Sequence, residues 1–263
     1  MPAESTDSPP PGTTGLPVVS SMIESPPSPE LLSSLGRLAR GLSVLFWGLP
    51  TALVVCVQSA KGDWFRPLGI IPPLLATGLL VYGLALLSHF QQQERVWRMA
   101  LDRASVVALI NVGTAPFLYW WSRIPSNVFF TLVVQGLMLS GILFLLLINP
   151  VLVRLTAMLP DETLRLETRF FTMLNRYILV GIFGVMTVYF TMIHIEAGLP
   201  DRFMGWLLKI SPLPPRANAL VYFVDQAKLW IALFFVLLPL AMTMALLWKI
   251  KEIILASVFG PEN

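Results

Sequence analysis

The sequence predicts an all-α integral membrane protein, a bundle of about six transmembrane helices preceded by a disordered Pro-rich tail. Three observations predict it. The 263 residues are 56% hydrophobic and only 13% charged, about half the charge of an ordinary soluble domain. The mean hydropathy is +0.73, so too little polar surface exists to coat the chain in water. Six apolar stretches approach the roughly 20 helical residues that a bilayer core of about 30 Å requires.

Residues 1–29 differ from the rest. They hold Pro2, Pro9, Pro10, Pro11, Pro17, Pro26, Pro27 and Pro29, with Ser, Thr and Gly between them and no Lys or Arg. A signal peptide needs a basic segment followed by an apolar one, and neither is present. This composition predicts a solvated tail with polyproline II character; docking of a proline-reading partner is the functional alternative. Residues 30–40 read as a juxtamembrane amphipathic helix. Ser28 is positioned to cap it, Pro29 to open it, and Leu31, Leu32, Leu35 and Leu38 share a face beside Arg37 and Arg40.

The transmembrane domain is expected over 41–256, with spans at about 41–57, 68–90, 104–121, 128–153, 177–195 and 229–248. The third is the least regular, because Asn111, Gly113, Thr114 and Pro116 interrupt it, and a re-entrant hairpin is its alternative. Charge gives the bundle a direction. Eleven of the eighteen basic residues fall on the side of both termini: Arg37 and Arg40; Arg95, Arg98 and Arg103; Arg154, Arg165, Arg169 and Arg176; Lys249 and Lys251. Basic residues collect on the cytoplasmic face, so both termini are expected there, in a bacterial inner membrane. Trp64, Trp120, Trp121, Trp206 and Trp230 then mark the outer edge, and Trp97 and Trp248 the inner one.

Two connections carry structure of their own. The stretch from Asp161 opens with acids suited to a helix N-terminus, and no Gly or Pro interrupts 161–180. It reads as an extension of span five rather than a separate surface helix. The outer loop 196–228 contains Phe203, Trp206, Leu207 and Ile210, an interfacial helix ended by Pro212, Pro214 and Pro215.

No catalytic, cofactor or metal set is legible. Cys56 is the one cysteine, which forbids an internal disulfide. His89 and His194 fall at opposite faces of the predicted bundle, too far apart to share a metal. No Asp, Glu, Lys or Arg lies centrally in a predicted span, which argues against proton coupling. The sequence contains no P-loop, dinucleotide fingerprint, HExxH or GxSxG. The central polar residues are Asn111 and Gln135, read as interhelical hydrogen-bonding partners or as the lining of a polar cavity. Pro50, Pro72, Pro73, Pro116, Pro150 and Pro239 predict kinks. Gly181 and Gly184 predict a site of close helix approach.

These readings converge on a polytopic membrane protein without evident catalytic chemistry: a scaffold, an accessory subunit or an assembly factor. A permease for a neutral or lipidic solute is the alternative. A lipid-acting enzyme would have to use Glu196 with His194, or Glu162 with the arginines beside it. The expected partners are membrane lipid and other membrane subunits, with no nucleic acid and no cofactor.

Overall fold

A computed structural model describes residues 29–62, 64–90, 94–158, 162–198 and 217–259; for 29–32, 66, 162–164, 195–198, 217–233 and 257–259 it describes the backbone alone. The expectations of a disordered tail and of an interfacial helix at 203–210 concern residues outside those described. Within them the chain is all helix, without a strand.

Helix α1 spans Pro29–Lys61, carrying the amphipathic segment and the first span in one run of 33 residues. A three-residue turn, Arg66–Leu68, and Gly69 at φ +62° reverse the chain. Only glycine adopts that left-handed conformation without strain. Helix α2 is Ile71–Ser88. Pro72 and Pro73 occupy its first turn, where a missing N–H costs nothing. They start the helix and do not kink it, unlike the sequence expectation.

Helix α3 is Arg95–Thr114, and α4 is Phe117–Arg123. Between them the Ala115 N–H still reaches the Asn111 carbonyl at 2.9 Å. Pro116 therefore bends this stretch without turning it back. Arg95–Arg123 has 29 residues, about 43 Å at 1.5 Å per residue. That is long enough to cross. Asn127 caps α5, Val128–Ala157, by accepting from the Phe129 N–H at 2.9 Å. Helix α6 runs unbroken over Glu162–Gly198, joining the 161–180 stretch to span five, and α7 covers Ala217–Phe259.

Six stretches among the described residues are long and apolar enough to cross a membrane: Ser33–Lys61, Ile71–Ser88, Arg95–Arg123, Val128–Ala157, Arg165–His194 and Phe234–Ala256. They form a closed ring. Helix α1 packs on α2, α2 on α3, α3 on α5, α5 on α6 and α6 on α7, and α7 returns to α1. Many large apolar side chains point outward, among them Val54, Leu75, Leu109, Phe129 and Val185. An apolar exterior is the arrangement lipid requires.

The main core lies in the half of the bundle that holds the start of α1 and the end of α7. Leu38, Leu42, Leu84, Leu101, Ile148 and Ile250 are fully enclosed there. A smaller cluster of Leu118, Val134 and Leu137 fills the other half. The closest helix approach is between α1 and α2. A Cβ on Gly41 would lie 2.2 Å from Leu87 Cδ1 and 3.1 Å from the Gly83 carbonyl; one on Gly83 would lie 2.9 Å from Leu45 Cγ. Gly181 and Gly184, predicted as the close-packing pair, have open space where a Cβ would stand. Contact between helices needs two faces, and among the described residues nothing stands against this face of α6.

Trp97, in the first turn of α3, is enclosed at 1% exposure with its ring edge-on to Phe90. Its indole N–H has no partner. Trp248 does sit outward, with Lys251 over its ring at 5.3 Å.

Candidate functional site

Helix α6 is attached to the bundle in an unusual way. Over its most apolar 18 residues α6 is only 6% buried inside the protein, against 22–39% for the other five spans. Its enclosed residues are Thr168, Thr172, Asn175 and Leu179. Spacings of four, three and four place them on one stripe. Three of the four are polar, so α6 turns hydrogen-bonding side chains inward, while Phe170, Met173, Tyr177 and Val185 stand outward beside the charged Arg165, Glu167, Arg169 and Arg176. A soluble amphipathic helix does the opposite. A lipid solvent would favour this arrangement: hydrocarbon would accept Phe170 or Val185, and a bare amide there would have no partner.

The stripe meets two helices at one point. Asn175 Nδ2 donates to Asn149 Oδ1 of α5 at 3.3 Å and to Thr243 Oγ1 of α7 at 3.0 Å. The Thr243 hydroxyl itself donates to the Pro239 carbonyl, 2.8 Å away. Asn149, Asn175 and Thr243 are at most 2% exposed. Prolines flank the joint. Pro150 follows Asn149, and Pro239 precedes Thr243 by one turn, so the carbonyls of Leu146 and Phe235 lose their intrahelical N–H. Thr156 lies seven residues beyond Asn149, and Thr168 seven before Asn175. Antiparallel packing therefore puts these two buried threonines at one level, two turns from the amide pair.

Satisfaction is incomplete. Asn149 Nδ2, Asn175 Oδ1 and Thr168 Oγ1 are enclosed with no hydrogen-bond partner. A buried donor or acceptor without a partner costs about 1–3 kcal/mol. The joint thus fixes α6 against α5 and α7 and leaves the Asn149 amide N–H, the Asn175 amide oxygen and, two turns away, the Thr168 hydroxyl unpaired among the described residues.

Gln135 and Asn111, the polar residues singled out from the sequence, are placed apart in role. Gln135 Oε1 accepts from His194 Nε2 at 2.9 Å, across α5 and α6. Asn111 is 4% exposed on α3, and its Oδ1 has no partner. No hydrogen bond joins the two amides. His89, at the end of α2, bonds to the Ala85 carbonyl at 2.8 Å. Among the described residues no three His, Cys, Asp or Glu side chains gather in a group able to hold a metal.

Sequence reasoning missed Asn149, Asn175 and Thr243. The signal available was the polar spacing Thr168, Thr172, Asn175 in a helix otherwise apolar on its membrane side.

A small cavity of about 90 Å³ opens at the other end of the bundle, lined by Ser59, Lys61, Tyr119 and Ser122 among others. The enclosed Ser59 hydroxyl there has no partner. Comparison with protein-family models, with curated proteins and with solved structures gave no match in any of the three.

Proposed function

We propose that this chain is a non-catalytic, multi-pass protein of a bacterial inner membrane, with both termini cytoplasmic, that serves as a scaffold, accessory subunit or assembly factor. The observation that carries the reading is the placement of α6. It is held by a polar stripe, while Val185, Val188, Tyr189 and Met192 stand outward at 54–70% exposure. A helix fixed in register with its other faces free offers a defined surface to a neighbouring membrane subunit.

Two further features support it over a permease. The Gln135 amide is engaged by His194, and Asn111 does not meet it. A solute path lined by both amides would need them free and facing one space. Arg154 and Lys249, on the same end as the starts of α1 and α6, also fit the excess of positive charge expected on the cytoplasmic side.

The test is extraction in mild detergent followed by native electrophoresis. The expected result is a discrete assembly well above the 29.2 kDa of one chain, dissociating when Val185 and Tyr189 are replaced by Arg. A chain that runs alone, and that by itself carries a neutral solute into vesicles, would replace this reading with the permease.

A further inference from the structure

Arg176 lies deeper than the charges of the helices packed beside it. Its neighbour Asn175 is level with Asn149 on α5 and Thr243 on α7. Arg154 stands five residues from Asn149 toward the basic end, and Lys249 six residues from Thr243. With about 1.5 Å of rise per residue, Arg176 sits roughly 9–11 Å further into the bundle than either. The ion pair between Glu167 and Lys249 agrees with this register. Sequence reading starts the fifth span at Tyr177, which treats Arg176 as outside; the partners of its neighbour Asn175 across the helix interface place it inside the apolar layer.

Arg176 is nonetheless exposed, and no hydrogen bond or ion pair from the described residues reaches it. A guanidinium facing hydrocarbon is costly, and the usual relief is to extend toward the headgroups. Helical side chains lean toward the helix N-terminus. For α6 that direction is the basic end. Arg169 lies two turns earlier on the same face, and Arg165 one turn before that, both exposed. Glu167 is engaged by Lys249. Beside the arginine row, Met173, Tyr177 and Val180 present an exposed apolar track.

We propose that Arg169 and Arg176 form a binding site for the phosphate of an anionic phospholipid, drawn below the headgroup plane along α6, with Arg165 adding positive charge one turn nearer the headgroups. The guanidinium forks match phosphate oxygens in pairs. One acyl chain lies along Met173, Tyr177 and Val180. The site requires that α6 lie in a bilayer; it does not require any subunit partner.

Native mass spectrometry of the full chain, titrated with phosphatidylglycerol or phosphatidylcholine, tests it. The anionic lipid is expected to bind more tightly, and R176Q to weaken it roughly tenfold, the loss of one charge-assisted contact. R154Q removes a charge at the headgroup level of α5 and is expected to change affinity less than about twofold. Equal losses in R176Q and R154Q, or equal binding of the two lipids, would overturn the site. So would full displacement of the lipid by inorganic phosphate, which would point to a soluble anion. A photocrosslinker at Tyr177 in intact membranes is expected to capture lipid. Capture of a protein instead would replace the lipid with an acidic partner helix. R176Q removes a charge and no core contact, so its thermal transition should match that of the parent chain, and binding can be read on folded protein.

Discussion

Asn175 and Asn149, 26 positions apart in sequence, join α6 to α5 through one amide hydrogen bond of 3.3 Å in the enclosed part of the bundle. Because Asn175 also donates to Thr243, its side chain ties three helices. Replacing it by alanine removes two bonds, whereas N149A removes one. N175A is expected to lower stability by about 1–2 kcal/mol and N149A by less, since interhelical bonds in membranes contribute roughly 0.6–2 kcal/mol each. A double-mutant cycle read by denaturant titration should give a coupling of about 0.5–1.5 kcal/mol. Strict additivity would mean that the bond contributes nothing.

The α1–α2 contact makes a sharper contrast among glycines. A Cβ at Gly41 meets Leu87 and the Gly83 carbonyl, while one at Gly181 meets nothing. G41A is expected to cost about 1–3 kcal/mol through overpacking. G181A should be neutral or stabilising by up to about 1 kcal/mol, because alanine is the better helix former. Thermal unfolding of the two variants side by side decides it; a harmless G41A would contradict the close approach.

Where α5 and α6 lie farthest from their connection, His194 donates to Gln135. Both lie on exposed or half-exposed surface, and the rest of this half of α6 has little packed against it. H194A should cost at most about 1 kcal/mol. It should still widen the distance distribution between spin labels at Leu132 and Ile193. An unchanged distribution would show that the helices are held by something else.

Lys249 and Glu167 each keep about half of their side-chain surface in contact with the surroundings, 48% and 49%. An exposed pair contributes roughly 0–1 kcal/mol. E167Q should therefore change stability by less than about 1 kcal/mol, and added salt should abolish the difference. A larger, salt-insensitive loss would mean that the pair is enclosed by neighbours in the assembled protein.

Direction in the membrane can be read by cysteine labelling in a Cys56→Ala background. Pro200→Cys is expected to react from outside, and Thr163→Cys only after permeabilisation. The reverse pattern would invert the proposed topology.

The number of apolar helices was legible in the sequence, because 20-residue apolar runs have few other uses. Helix α6 was legible as one piece for a similar reason: nothing between Glu162 and Gly198 breaks a helix before Gly181. The joint was not legible. Asn149 sits beside Pro150 near the end of a very apolar span, where hydropathy averages it away. Asn175 was lost because its neighbour Arg176 moves the apparent membrane boundary past it. Thr243 gives no signal of its own, since threonines that bond to their own helix are common in membranes. Asn111 and Gln135 stood out for being central in their spans. Centrality does not decide which amide faces a partner; helix rotation does, and that is fixed by the whole ring. Pro72 and Pro73 misled for a related reason, since a proline's effect depends on whether it falls in a first turn or later.

The inward polar stripe of α6 has a consequence for register. Between helices in lipid, apolar side chains distinguish one alignment from the next only weakly, because the surrounding tails are as apolar as they are. Hydrogen bonds are directional and lapse within a few tenths of an ångström. Sliding α6 by one residue moves it about 1.5 Å and turns it by roughly 100° to follow the helix, and both bonds made by Asn175 are gone. The joint works as a single-tooth ratchet: it admits one setting of α6, and so fixes which way every outward residue of that helix points.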